Sequence, residues 1–308
     1  MTGTTLKQQI KAKAKQLGFD ITGVCNPEYS PDAHNRLLRW LEKDYHGDMD
    51  YMSRNTRMRS DPRLFFEDVR SIISVGASYF KEPGYDSSKP YISIYARGKP
   101  YQEVLKERLK ELLDFIKQSC PGVKGKIAVD TSPTFDKLWA ENAGIGWRGK
   151  NTLILNKDIG SFIFLGEIFI NIELEPDKPT NDHCADCTKC LDTCPTGALE
   201  EPYLLNASRC ISYLTIEAKG DLENPELIGN HIFGCDLCQV ACPFNKSAPK
   251  TQISEFLPES SFDIEPNENW YNLDEIEFKN RYKGTILQEY GFIKYKKNVE
   301  TVKINMEK

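Results

Sequence analysis

The residues of this sequence best suited to chemistry are its cysteines, of which there are ten among 308 residues. Residues 184–195 follow the pattern C-x2-C-x2-C-x3-C-P, the run that holds iron–sulfur clusters in bacterial ferredoxins. A second run over residues 235–243 has three cysteines and again ends in Cys-Pro, and Cys210 between the two runs can complete it. The spacing therefore predicts two 4Fe-4S clusters.

The same pattern predicts which thiol serves which cluster. In two-cluster ferredoxins the cysteine before the proline turns away from its own run and binds the neighbouring cluster. The first predicted ligand group is therefore Cys184, Cys187, Cys190 and Cys242. The second predicted group is Cys194, Cys210, Cys235 and Cys238. The remaining two, Cys25 and Cys120, are interpreted as structural thiols.

Two other uses of these cysteines compete with the clusters. Zinc sites are built from C-x2-C pairs, but a tetrahedral site takes two pairs and not a triple run closed by Cys-Pro. Disulfides require an oxidising compartment, whereas the chain opens with Met-Thr-Gly-Thr-Thr and no apolar signal segment. We therefore expect a cytoplasmic protein with reduced thiols.

Composition is that of a soluble globular protein, with 40% hydrophobic and 28% charged residues. No window approaches the roughly 18 apolar residues of a membrane span, so no membrane partner is expected. The formal charge of −5 gives no overall attraction to nucleic acid. Residues 279–308 hold eight Lys or Arg against three acids and are the best local candidate for contacting phosphate.

Hydrophobic periodicity predicts the elements that must position the cysteines. Helices are predicted over residues 4–17, from Ser30-Pro31 onward, and over 101–118. Strands are predicted over residues 19–25, 71–80 (buried and central), 91–97 (at an edge) and 126–130. A β-hairpin is predicted from residues 152–155 and 161–174, and a helical insert over 222–233. These elements give an α/β domain over 1–175, a ferredoxin-like unit over 176–250 and a partly helical segment with a basic tail over 251–308.

Six stretches of the chain, within a match that runs from about residue 1 to 290, resemble the epoxyqueuosine reductase family. They are Tyr45-His-Gly-Asp-Met49, Val129-Asp-Thr-Ser-Pro133, Ala143-Gly-Ile-Gly-Trp-Arg-Gly-Lys-Asn151, Cys194-Pro-Thr-Gly-Ala198, Arg209-Cys-Ile-Ser-Tyr-Leu-Thr-Ile-Glu217 and residues 234–245. The resemblance implies an α+β fold: a nitroreductase-like α/β cobalamin-binding domain, a bacterial ferredoxin-like 2×4Fe-4S domain and a short helical C-terminal segment.

The resemblance also implies an activity. The family reduces the epoxide of epoxyqueuosine at the wobble position of tRNA, the last step of queuosine biosynthesis. It uses cobalamin and two 4Fe-4S clusters. The expected partners are a tRNA carrying epoxyqueuosine and an external low-potential electron donor, and the expected state is a monomer. Many family members continue with a helical-repeat segment that grips the tRNA, whereas this sequence stops at Lys308.

Site residues follow from the resemblance position by position. Asp130 corresponds to the proton donor, and we expect burial or a dry pocket to raise its pKa because it must be protonated when it acts. The glycine-rich loop with Gly146, Lys150 and Asn151 is expected against the corrin. The other implied cobalamin contacts are Arg57, Arg97, Ser212, Tyr213 and Asp236.

No D-x-H-x-x-G motif is present to supply a histidine to cobalt. This agrees with base-off cobalamin that lacks a protein lower ligand, a state that favours Co(I). Three alternative functions stay open at this point. The first is a plain 2×4Fe-4S electron-transfer protein that binds no corrinoid, the second is a cobalamin-dependent reductive dehalogenase of small molecules, and the third is a flavin enzyme.

Overall fold

A four-stranded antiparallel sheet forms the centre of the computed structural model, which describes residues 5–257 and 270–308. The strands are β1 Ile21–Cys25, β2 Ser71–Ser78, β3 Tyr91–Ile92, β4 Gly125–Ala128, β5 Trp147–Arg148, β6 Ile154–Leu155, β7 Ile163–Ile170, β8 Leu199–Glu201, β9 Leu204–Leu205 and β10 His231–Phe233. The order in the central sheet is β1-β2-β7-β4. The other six strands form three two-stranded sheets, β10-β3, β5-β6 and β8-β9.

Helices cover both faces of this sheet. They are α1 Leu6–Gln16, α2 Pro31–Glu42, α3 Thr56–Ser60, α4 Pro62–Phe65, α5 Tyr101–Ser119, α6 Asp136–Asn142, α7 Lys189–Asp192, α8 Ile211–Ile216, α9 Leu237–Val240, α10 Glu275–Arg281, α11 Ile286–Tyr290 and α12 Phe292–Met306. None of the helices within the described ranges is long and apolar enough to cross a membrane.

The predicted elements with clear periodicity are confirmed. Every residue of β2 is buried, and β2 pairs with β1 on one side and β7 on the other. The helix α5 buries one apolar stripe against α1 and the sheet. The helix α2 begins where its signals place it, since the Ser30 side chain accepts a hydrogen bond from Ala33 N, and Pro31 occupies the first turn. These elements fix the mixed α/β architecture.

Three predicted elements are wrong. Residues 91–97 form only the short strand β3 followed by a 3-10 turn over Ile94–Ala96. The predicted hairpin does not form, because β6 pairs with β5 while β7 pairs with β2 and β4. The segment 222–233 holds a 3-10 turn, Pro225–Ile228, and the strand β10 instead of a helix. The strands β3, β7 and β10 each pair with a strand that is distant in sequence, and these pairings decide the local structure.

A second hydrophobic core joins parts of the chain that the predicted boundaries separate. The strand β10 pairs in parallel with β3, although 139 positions separate Ile92 from His231. Trp270, which precedes α10, packs with Phe278 and Tyr295 of the C-terminal helices in the same core as Ile92 and Phe233. Residues on both sides of the predicted boundaries therefore share one core, and the three-part division stays a prediction.

Glu167 lies in the middle of β7 between Ser74 on β2 and Ala128 on β4, and it is fully buried. Burial raises the pKa of its carboxyl well above the ordinary value, and the nearby charge of Asp136 adds to this. The folded state therefore holds a proton that the unfolded state releases as the pH rises past the ordinary pKa. Over that range the free energy of unfolding falls by about 1.4 kcal/mol per pH unit.

We expect Glu167→Gln to remove this pH dependence, because glutamine has the same shape and does not ionise. The stability difference between variant and wild type should grow in favour of the variant from about pH 5 to pH 7. Denaturant unfolding of the two proteins side by side measures it. Glu173→Gln, at an exposed position shortly after β7, is the control and should show no such trend. A difference for Glu167→Gln that is constant with pH would contradict the prediction.

Candidate functional site

Eight of the ten cysteines surround two neighbouring cavities. One cavity is lined by Cys184, Cys187, Cys190 and Cys242, and we call it the first cluster cavity. The other is lined by Cys194, Cys210, Cys235 and Cys238, and we call it the second cluster cavity. These two groups of four are the same as those that the spacing predicts. No three His, Cys, Asp or Glu side chains in the described ranges converge tightly enough for a single metal ion, so each group encloses a space.

The two cavities differ in their access to solvent. Around the first, the loop residues Ala185, Asp186 and Lys189 are exposed. Around the second, Asp236 and Gln239 are buried. Burial raises the pKa of the Cys190, Cys210, Cys235 and Cys238 thiols, and raises that of Cys242 to about 11. Thiolates in these positions therefore need a compensating positive charge, which iron supplies.

The glycine-rich loop, residues 143–151, packs against the first cluster cavity and against the strand β6, which follows it in the chain. A Cβ on Gly146 would lie 2.0 Å from the carbonyl oxygen of Leu155, so glycine is needed for β5 to approach β6. This contact brings Trp147 beside the cysteines, where its Nε1 donates a hydrogen bond of 3.4 Å to Cys184 Sγ. Gly146 thus serves the β5-β6 pair.

A third cavity, which we call the large cavity, measures about 930 Å³, adjoins the second cluster cavity and does not have Gly146 in its lining. Four residues, Tyr95, Leu205, Cys210 and Ser212, line both of them. The walls of the large cavity come from the loop before α3, the first turn of α5, the loop after β4, the start of α8 and the helix α11. The three cavities therefore lie in series, and Cys210 is common to the last two.

Asp130 lies in the lining of the large cavity, directly after β4. Its backbone adopts the left-handed conformation with φ 47°, and its carboxylate accepts a hydrogen bond of 3.0 Å from Gln102 Nε2. Asp130 is exposed to the cavity in the protein alone, so the chain by itself does not provide the dry surroundings expected for this carboxyl. Only a molecule that fills the cavity would remove the carboxyl from water.

Ser212 and Tyr213 also line the large cavity, at the start of α8. The Tyr213 hydroxyl donates to Asp48 Oδ2 at 2.9 Å and accepts from the Asp48 backbone N–H at 2.7 Å. A Cβ on Gly47 would lie 2.3 Å from that hydroxyl oxygen. The His-Gly-Asp sequence at 46–48 therefore holds the tyrosine ring in the cavity wall.

The other predicted cobalamin contacts do not line the large cavity. The Arg57 side chain is 66% exposed and reaches Asp61, and Arg97 donates from Nε and Nη2 to Ile92 O at 2.9 Å and 2.6 Å. Asp236 is buried and accepts hydrogen bonds from Tyr91, Ser93 and Ile94. Lys150 lines the first cluster cavity, and Asn151 lines both cluster cavities.

Two residues that the sequence did not single out carry buried polar atoms without a hydrogen-bond partner among the described residues. They are Gln102, through its acceptor Oε1, and Arg59, through its donor Nε. Both line the large cavity. Buried polar groups are almost always paired, so these two indicate a polar ligand with both donors and acceptors. The volume of the large cavity lies near the upper end of the range for small-molecule sites. The amide groups around the rim of a corrin supply both donors and acceptors, which match the unpaired atoms of Gln102 and Arg59.

Comparisons with known proteins agree with this site. Residues 59–131 match the family model described as epoxyqueuosine reductase QueG, DUF1730, and residues 183–245 match a 4Fe-4S double cluster binding domain. An epoxyqueuosine reductase of Leadbetterella byssophila is 38% identical over 299 residues, which are 96% of this chain and 98% of that protein.

Two solved structures of epoxyqueuosine reductases have the same fold, each over 98% of this chain and 82% of theirs. One is a complex with an epoxyqueuosine-modified tRNA-Tyr stem loop, at 32% identity and a TM-score of 0.88. The other, from Bacillus subtilis, has its catalytic aspartate loop swung out of the active site, at 31% identity and a TM-score of 0.88. On the sequence, the fold and the paired cysteine groups, this chain belongs to the epoxyqueuosine reductase family of oxidoreductases.

Proposed function

We propose that this chain reduces epoxyqueuosine to queuosine in tRNA, and that the reaction takes place in the large cavity. The observation that carries the proposal is the presence of Asp130 and the cluster cysteine Cys210 in the lining of one cavity. A relative of the same fold binds a tRNA stem loop that carries epoxyqueuosine, which supports the same substrate here.

The reaction converts an epoxide into an alkene and water, and it consumes two electrons and two protons. We propose that Asp130 donates the proton that leaves with the epoxide oxygen. Gln102 positions the carboxyl, because its Nε2 donates a hydrogen bond to Asp130 Oδ2. A swung-out aspartate loop in the Bacillus subtilis relative supports an acid on a loop of this kind.

Cobalamin, when bound in the large cavity, supplies the electron-rich metal that reduces the epoxide. We propose that Gln102 Oε1 and Arg59 Nε hold its amide side chains, and that Ser212 and Tyr213 contact the ring. We also propose that cobalamin binds base-off, without a lower ligand from the protein. Of the cobalamin contacts inferred from the sequence, we retain Asp130, Ser212 and Tyr213.

The series of cavities supports an electron path. We propose that the two cysteine groups ligate one 4Fe-4S cluster each, through the eight thiolates named above. An external low-potential donor would reduce the first cluster, whose loop is exposed, and the second cluster would pass electrons to the large cavity beside Cys210. We further propose that the protein works as a cytoplasmic monomer, since cytoplasmic reductants keep such thiols reduced.

The test is anaerobic reconstitution with iron, sulfide and cobalamin, followed by an assay on tRNA that carries epoxyqueuosine. We expect about eight iron atoms per chain, the visible spectrum of bound base-off cobalamin, and formation of queuosine. Eight irons without bound corrinoid would leave an electron-transfer protein and exclude the proposed reductase mechanism. Zinc in place of iron would exclude both.

A further inference from the structure

Asn151 lies at the junction of the two cluster cavities. It is 4% exposed, and it is the only residue in the described part of the chain that lines both the first and the second cluster cavity. Asn151 therefore lies next to both groups of four cysteines.

The orientation of the Asn151 amide follows from its hydrogen bonds. Its Oδ1 accepts a hydrogen bond of 3.2 Å from the backbone N–H of Leu153. Its Nδ2 is buried and has no partner among the described residues. A Cβ at position 149 would lie 2.8 Å from Asn151 Oδ1, so Gly149 leaves room for this arrangement. The loop backbone thus holds the amide oxygen, and the two N–H groups of Nδ2 have no acceptor among the described residues.

We propose that Asn151 donates hydrogen bonds from Nδ2 to cluster sulfur at this junction and so raises the reduction potential of the cluster it contacts. The proposal rests on the assignment of the eight cysteines as ligands of two 4Fe-4S clusters. Sulfur is the acceptor that the two cavities offer once clusters fill them. Asn151 is then a positioning residue for electron transfer, and it has no part in holding the corrin.

The effect on the potential follows from charge. A reduced cluster carries one more negative charge than the oxidised cluster, so an N–H donor stabilises the reduced form more strongly. Hydrogen bonds to the sulfurs are among the factors that set the potentials of such clusters. Removal of the donor must therefore lower the midpoint potential and make the cluster harder to reduce.

The variant Asn151→Asp tests the donor separately from the loop. Aspartate keeps the oxygen that accepts from Leu153 and puts a carboxylate oxygen in place of Nδ2. Redox titration of the reconstituted protein, followed by EPR, should show that the midpoint potential of at least one cluster is lower than in the wild type by about 59 mV or more. For a one-electron couple this shift is about a factor of ten in the equilibrium constant. Unchanged midpoints for both clusters, with full iron content, would overturn the proposal.

Asn156→Asp is the matched control. Asn156 is a buried asparagine on the next turn, and its side chain is already paired, with Nδ2 donating to Ile145 O and Oδ1 accepting from Asp158 N. This variant should lower stability and leave both midpoint potentials unchanged. A shift of the same size in the control would show a general effect of distortion, and it would overturn the role of Asn151.

A second measurement uses the wild-type protein and does not depend on the folding of a variant. Pulsed EPR of the reduced protein, labelled with ¹⁵N in the asparagine side chains, should show a ¹⁵N coupling to a cluster. No such coupling would overturn the proposal. The iron content separates the ligand assignment from the role of Asn151. A protein that holds fewer than about eight irons contradicts the assignment of the eight cysteines as ligands. In a protein with full iron content, the measurements test Asn151 alone.

Discussion

Replacement of Asp130 by asparagine is expected to slow the reduction of epoxyqueuosine in tRNA by about 10²- to 10⁴-fold, the usual contribution of a general acid. Asparagine has the same shape and can keep a contact with Gln102, but it has no acidic proton to give to the epoxide oxygen. Iron content and cobalamin binding should be those of the wild type. Single-turnover conversion of modified tRNA, with queuosine measured by mass spectrometry, gives the rate.

The matched control for this variant is Asp50→Asn. Asp50 is exposed, pairs with Lys219 at 3.2 Å and does not line the large cavity. We expect its rate to equal that of the wild type. A variant Asp130→Asn with full activity would assign the proton to another group in the cavity or to water, and the proposed role of Asp130 would be wrong.

The variant Cys210→Ala is expected to lose the second cluster and all reductase activity. Cys210 lines both the second cluster cavity and the large cavity, and alanine offers no ligand atom. Iron should fall from about eight to about four atoms per chain, because the first group of four cysteines is left intact. Iron analysis and EPR of the reduced protein measure the loss.

Cys120→Ala is the control for Cys210→Ala, since Cys120 follows α5 and belongs to neither cysteine group. It should keep about eight irons and full activity. Two results would contradict the ligand assignment. One is a Cys210→Ala protein with its full iron content, and the other is a Cys120→Ala protein that lacks a cluster.

Sequence reasoning succeeded where the signal is local. The cysteine spacing already divides the eight thiols into the two groups that the structure brings together. The buried strand β2 and the amphipathic helix α5 could be predicted because their residue patterns match the period of the element. The residue pattern placed Asp130 at the end of a strand beside a turn, and the resemblance implied its role as proton donor.

Contacts between distant parts of the chain were not predictable. Gln102 looks like an ordinary polar residue in the first turn of a helix, and only the fold shows that it meets Asp130. The glycines of the 143–151 loop signal a close approach, but their sequence does not name the approaching group, which at Gly146 is the Leu155 backbone. The basic tail stays a candidate for contacting phosphate, and the fold shows that two of its lysines, Lys294 and Lys297, donate to backbone carbonyls within the chain.

The helix α12 has a consequence for the way this protein is made. Asn298 on α12 is buried and donates to Thr215 O at 2.8 Å and Ile232 O at 2.9 Å, in the segments that follow Cys210 and precede Cys235. A ribosome releases these cysteines well before it releases α12. The two hydrogen bonds that tie these segments to α12 therefore form only after α12 has left the ribosome.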